Sequence, residues 1–473
     1  MAIRVDRHVG LYPYCWSYNS ALIRIASSKP YASLRHMRLI ALGLLSAGFS
    51  VAQTPTFNKE VAPILQKHCQ ECHRPGEIGP MPLLNFVDAR PWAKSIKEAV
   101  ASRRMPPWHA DPHYGTFSND RSLTDAEIKT LVAWADGGAQ PGNPKDAPRP
   151  REFADGWQIG KPDLVLDTGV DFKVPAQGTI EYTHFVVPTG FTEDRWIKEI
   201  EVRPGNKAVV HHVVLYARPK GSQFMADAKP GEPYVAPNAG QAPRQRPPQS
   251  DRANLYGING GAYEMAAVYV PGGIAYRTLP GQARLIPAGA DLIFQMHYTS
   301  NGKASVDRTK VGIVFAKEPP KERVVNTFIM NQTLRIPPGE GNHRVDGKVT
   351  LQQEATLQSL FPHMHLRGKA FEYTVTFPNG ETQTLLKVPH YDFNWQLTYY
   401  LDHPIVLPAG TQLTATAYYD NSANNKFNPD PTKEVYWGDQ SWEEMLAGFV
   451  DLAIPVAMNP VDLVRPKPPI AAR

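Results

Sequence analysis

At 473 residues, 42% hydrophobic and 20% charged, the chain has the composition of a folded soluble protein and is too long for one small core. Six of its 50 basic residues and one of its 45 acidic residues fall in 1–52, so the net charge of +5 belongs to that stretch, and 44 of each sign remain. Balanced charge leaves no electrostatic footprint for nucleic acid, and three cysteines are too few for a disulfide scaffold.

The first predicted element is an export signal at 37–52. Arg35 and Arg38 precede the apolar run LIALGLLSAGF at 39–49, and Ser50-Val51-Ala52 supplies small residues for cleavage. The run is short for a membrane span, although a retained N-terminal anchor is the alternative. Met37 offers a later start, which sets residues 1–36 apart as an upstream extension. The expected location is periplasmic or secreted, with no transmembrane helix in the mature chain.

Residues 54–138 read as a small all-α domain. The stretch 57–69 puts Phe57, Val61, Ile64 and Leu65 on one helical face, and a second helix carries Trp92, Ile96 and Val100. A third opens with Thr124 as cap, Glu127 completing a capping box and Leu123 stapled to Ile128. Ile128, Leu131, Val132 and Ala135 form its stripe before Gly137-Gly138 stop it.

Within this domain lies Cys69-Gln70-Glu71-Cys72-His73. Cysteines at this spacing reach the two vinyl groups of one haem and leave the adjoining histidine beneath the iron, the pattern of a c-type cytochrome. A bare CxxC would also suit redox or zinc chemistry. His73, the export signal and the lack of a second cysteine pair favour haem. Met105, between Arg104 and Pro106, is the predicted sixth ligand, with Met81, His109, His113 or an open position as alternatives.

A linker at 139–156 leads into a proline- and glycine-rich region with strand texture. Strands are expected at 179–187, 208–216, 264–270, 291–299, 310–316, 370–377 and 411–419, with turns at 287–289 and 408–410. Residues 228–256 read as a long surface excursion. His211 and His212 are adjacent in an apolar strand, so their side chains start on opposite faces and sharing one ion requires a local twist or a bulge. His297 sits in another apolar strand, where alone it is an ordinary core histidine. His363 and His365 flank Met364 at the spacing that puts both imidazoles on one side of an extended segment. Met445 offers a soft thioether, or plain core packing. Nitrogen and thioether donors without cysteine favour copper over zinc.

Taken in order, His211-His212, Gln295-Met296-His297-Tyr298, His363-Met364-His365 and Glu444-Met445 resemble the copper type II, ascorbate-dependent monooxygenases, the family of peptidylglycine α-hydroxylating monooxygenase and dopamine β-monooxygenase. The resemblance covers about 155–460. It implies two mainly antiparallel, jelly-roll-like β-sandwich domains, here 157–320 and 321–473, each holding one copper across a solvent-filled cleft. His211, His212 and His297 would hold the electron-transfer copper. His363, His365 and Met445 would hold the copper that meets dioxygen, and so form the catalytic set. The implied reaction is hydroxylation of a C–H bond in a small organic substrate, driven by ascorbate or a redox protein. In peptidylglycine monooxygenases an Arg, an Asn and a Tyr grip the substrate carboxylate. Phe361, Ala447 and Phe449 stand at those positions here, which argues against peptide amidation, while Arg367 and Lys369 are left as polar candidates. The family's disulfides have no cysteines to form them. Two coppers and one haem c are the expected cofactors, with the tethered haem at high effective concentration as electron relay. Other oxidative chemistry on the same scaffold, or an exported electron carrier or copper-binding protein without oxygenase activity, are the competing readings.

Overall fold

The computed structural model describes residues 54–153, 156–236, 263–438 and 440–464; the predicted upstream extension, the export signal and residues 237–256 of the excursion lie outside them. Among the described residues no helix is long and apolar enough to cross a membrane.

Four α-helical segments gather at the N-terminal end: α1 Ala62–His68, α2 Phe86–Ala89, α3 Ala93–Ala101 and α4 Asp125–Asp136. A π-turn at Phe57–Val61 leads into α1, and Phe57, Val61, Ile64 and Leu65 are all buried. The capping box on α4 forms in full, with Thr124 accepting from the Glu127 amide and Glu127 accepting from the Thr124 amide. Its interior face centres on Leu131 and Trp134, both 0% exposed. Trp134 is the residue that the expected stripe lacks. Trp92, expected in the core, is 41% exposed; Ala93, Ile96 and Val100 carry the buried face of α3.

The remainder is mostly β. The strands before residue 320 are β1 Leu164–Asp167, β2 Phe172–Val174, β3 Thr183–Pro188, β4 Arg195–Arg203, β5 Val210–Arg218, β6 Glu264–Tyr269, β7 Tyr276–Arg277, β8 Gln282–Ile286, β9 Asp291–Tyr298, β10 Ser305–Asp307 and β11 Lys310–Phe315. After it come β12 Glu322–Met330, β13 Arg335–Ile336, β14 His343–Thr350, β15 Ala355–His363, β16 Gly368–Thr376, β17 Thr382–Val388, β18 Tyr399–Leu407, β19 Gln412–Tyr419, β20 Val435–Tyr436 and β21 Ala447–Pro455.

One long sheet, ordered β1-β11-β4-β8-β12-β21-β15-β18, runs through both halves. Its first half faces the sheet β3-β9-β5-β6, and apolar side chains from both, including Phe185, Ile200, Leu215, Phe294 and Ile313, make one core. Its second half faces β14-β19-β16-β17 around Leu360, Phe371, Tyr399, Leu413 and Leu452. The halves join where β8 and β12 pair in parallel, Gln282 with Glu322 and Ala283 with Arg323. Pairing elsewhere in these sheets is antiparallel among the described residues. β21 lies between β12 and β15 and is buried along all but its last residue, as a strand covered on both faces must be.

Candidate metal centre

A bulge falls at the adjacent histidines. β5 pairs with β9 so that Val210 faces Tyr298 and His212 faces His297, which leaves His211 as the extra residue. An extra residue locally reverses the alternation of side chains, so His211 turns toward the face that His212 and His297 share. One ligand nitrogen from each of the three lies within 4.8 Å of the others. His211 Nε2 and His297 Nδ1 are buried without a hydrogen-bond partner, which is costly unless something else engages them. Burial holds His211 down to about 4 and His297 to about 3, and pushes His212 well below its ordinary value. All three are therefore neutral near pH 7 and have lone pairs to give. The group could hold a metal ion, and an all-imidazole donor set suits copper as it suits zinc, iron or nickel.

His363 ends β15 and His365 lies two residues on, their ring centres 5.1 Å apart. His363 Nδ1 donates to Gln396 Oε1 at 2.6 Å and His365 Nδ1 donates to the Glu443 carbonyl at 3.2 Å. Each Nδ1 faces an acceptor and must carry the proton, so each Nε2 is the free lone pair. Burial lowers His363 to about 4 and also holds His365 well below its ordinary value. The β15–β21 register ends with His363 paired to Ala447, two residues after Met445. Tyr419 Oη donates to the Met445 carbonyl at 2.8 Å and fixes that backbone. The turn after the histidines is clamped by Glu444, which accepts from the amides of His365 and Arg367.

Arg367 is not a substrate contact. Its side chain is 3% exposed, with Nε on Asn421 Oδ1 and Nη1 on the Trp442 carbonyl. Buried beside Glu444, it is a structural brace. Lys369 donates to the Gly341 carbonyl and to Asn342 on the surface.

The two histidine sets meet. His212 and His363 have ring centres 6.4 Å apart, edge to face. Phe393, from the segment between β17 and β18, stacks on His211 at 5.1 Å and reaches His297 at 5.9 Å and His365 at 6.4 Å. The solvent-filled cleft implied by the resemblance is closed at this point. Phe393 and Gln396 were not foreseen, because nothing in their local pattern says that this loop crosses between sandwiches. Beside His363 lie Phe361 and Phe449, their rings 5.5 Å apart, packed with Ala447, Val214 and Met265.

At the other end, Cys69 and Cys72 are free thiols. Burial pushes Cys69 up to about 12 and raises Cys72, opposite to the activation that a redox CxxC needs. Neither belongs to a group of three potential metal ligands among the described residues. His73 Nδ1 donates to the Met81 carbonyl at 3.1 Å, which fixes the ring and leaves Nε2 as the donor atom, as an axial haem ligand requires. The donor set fits haem c. Met81 packs on the helical core with Cys69. Met105 instead opens an arm that leaves the helices. On that arm Trp108 and Phe117 pack on Tyr399, Asp111 bonds the Lys387 carbonyl, and Phe117 bridges to Leu401. His109 lies on this arm, and His113 binds Asp111 at the surface. The fold thus lays Trp108 and Phe117 on the second sandwich.

No protein-family model matches the chain, and no curated protein matches it. Solved structures with partial likeness include the infectious bursal disease virus VP2 subviral particle, at 8% identity over 64% of this chain and 74% of that one, with a TM-score of 0.19. PNGF-II aligns at 9% identity over 60% of this chain and 64% of its own, with a TM-score of 0.22. The spike protein P1 of bacteriophage PM2 aligns at 9% identity over 63% and 100%, with a TM-score of 0.14. These scores lie below those of a shared fold, and nothing about function rests on them.

Proposed function

We propose that this chain is an exported copper monooxygenase that hydroxylates a C–H bond of a small apolar molecule with dioxygen, its electrons relayed by a covalently attached c-type haem. The observation that carries the reading is the gathering of His211, His212 and His297 by a bulge in β5, with His363 and His365 beside them.

Copper, when bound, would supply one-electron cycling and reductive activation of dioxygen. The chain supplies two unlike donor sets. Three neutral imidazoles from β5 and β9 suit an ion that changes oxidation state, whereas His363, His365 and the Met445 thioether favour the softer Cu(I). Gln396 and the Glu443 carbonyl hold the protons of His363 and His365 on Nδ1, so neither ring need lose a proton before ligating. Phe361 and Phe449 offer the substrate apolar contact where the resembling enzymes carry an anion clamp. Cys69, Cys72 and His73 would hold the haem. For its second axial position Met105 and Met81 are the candidates. Ascorbate or a redox protein would be the external donor.

One observation favours a second reading, an exported haem and copper electron-transfer protein without oxygenase activity. The cavity beside Phe361 and Phe449 is about 20 Å³, room for a water molecule and too small for an organic substrate. Under the lead reading the elements around it must separate to admit substrate. An oxygen electrode distinguishes the two. The copper-loaded protein with ascorbate should consume dioxygen faster when apolar substrates are added, and Met445→Leu should abolish that increase. Two bound coppers with no substrate-stimulated uptake would leave the electron-transfer reading in its place.

A further inference from the structure

The haem-attachment motif is docked on the strands that carry the first histidine set. Immediately after β6 the chain turns at Gly272, with φ +71°, a conformation that side-chain-bearing residues rarely adopt. A Cβ at this glycine would stand 2.9 Å from Cys72 Sγ and 3.1 Å from Arg121 Nη1, so the absent side chain is what lets the thiol approach the turn. Arg121 Nη1 donates to the Gly272 carbonyl at 2.8 Å. A second tie lies nearby: Glu77, in the loop after His73, pairs with Lys207, just ahead of β5, and both side chains are less than a fifth exposed.

From this contact a short course of bonds leads to the metal ligands. Tyr269, at the end of β6, lines a cavity of about 450 Å³ together with Cys72 and Gly272. In the β5–β6 ladder Tyr269 faces Val213, the residue after His212. Val213 in turn faces Met296 on β9, the residue before His297. Three residues of chain, one ladder pairing and one peptide bond therefore separate the Cys72 contact from His212.

We propose that the turn at Gly272 with the β6–β5 ladder is the electron entry to the His211/His212/His297 centre. This rests on the haem and copper reading above. With both groups bound, one electron would move: haem Fe(II) would become Fe(III) and a Cu(II) at His211, His212 and His297 would become Cu(I), with no bond or proton transferred. Arg121, Lys207 and Glu77 are positioning residues that hold the two parts in register.

The test is photochemical reduction of the haem in the full chain loaded with haem and Cu(II), without dioxygen, followed through the haem absorbance. Reoxidation should be first order and independent of protein concentration, and His212→Ala should abolish it. Arg121→Ala and Lys207→Glu should each slow it about tenfold or more, as expected for loss of a desolvated interface contact, with metal content and haem spectrum unchanged. Two variants on different elements guard against a folding defect in either. Unchanged rates in both variants, a rate that scales with protein concentration, or reoxidation that survives His212→Ala would each overturn the route while leaving the copper sites standing. Failure to load haem or copper would overturn the underlying reading as well.

Discussion

His212 and His363 belong to opposite sandwiches, yet their imidazoles meet edge to face with ring centres 6.4 Å apart. The contact is supported from the side by Phe393, which stacks on His211 and also reaches His365. The two donor sets are thus neighbours across one aromatic layer rather than separate sites facing across open water. If copper preserves this arrangement, ions in the two sets sense each other magnetically. The doubly loaded Cu(II) protein should show dipolar broadening or lost intensity in its electron paramagnetic resonance spectrum. His297→Ala should leave a single narrow signal from the second set. Two sharp, additive signals in the intact protein would mean that the sets part on loading.

The proposed Met445 thioether would distinguish the two sets. Met445→Leu keeps volume and apolarity and removes only the sulfur donor, so the fold should change by less than about 1.5 kcal/mol. X-ray absorption of the Cu(I) protein should lose its sulfur scatterer, and oxygen uptake should stop while haem reduction is spared. A sulfur signal that persists would direct attention to another thioether.

Arg367 gives a stability prediction. Its guanidinium is buried against Asn421 and the Trp442 carbonyl, close to the buried carboxyl of Glu444. Arg367→Ala should cost about 3 kcal/mol or more, because acceptors and a nearby charge lose their partner inside the protein. Arg367→Lys should restore little of this, since an ammonium cannot reach both acceptors in the planar fork. Urea denaturation of the metal-free protein measures both. A loss below about 0.5 kcal/mol for Arg367→Ala, the range of an exposed surface change, would contradict the bracing role.

How much of this was legible beforehand depends on the range of the interaction. The capping box of α4 and the strands at 264–269, 291–298 and 412–419 are written in local pattern, and they form where expected. An irregularity at His211 was legible in part: two adjacent imidazoles on one ion need a twist or a bulge, and the structure has the bulge. Arg367 was left as a polar candidate for substrate because its buried partners, 54 and 75 residues on, leave no local signal. The departure of Trp108 and Phe117 onto β18 was equally hidden, since both would have suited a haem pocket as well as they suit Tyr399. The single sheet shared by both sandwiches rests on a two-residue parallel pairing that no sequence pattern announces.

His184 predicts how the protein responds to acid. It is buried, its Nε2 accepting from Gln295 Nε2 at 3.0 Å, and burial lowers its pKa to about 4. Above pH 6.5 it is neutral whether folded or unfolded and contributes no pH dependence. Below that the unfolded chain takes up a proton that the folded chain refuses until about pH 4, so stability falls across this window. The slope is at most about 1.4 kcal/mol per pH unit for one group. Urea midpoints of metal-free protein between pH 7 and 4.5 should fall with acid, and less steeply in His184→Gln. Equal slopes in the two proteins would show that His184 takes up its proton without resistance.

The most direct measurement of the central claim is the fate of isotopically labelled dioxygen. Mature protein loaded with haem and copper, given a reductant and a pool of small apolar compounds, should place one labelled oxygen atom in an organic hydroxyl. Met445→Leu should yield none. Label found only in water or hydrogen peroxide, with both coppers bound, would contradict the monooxygenase assignment.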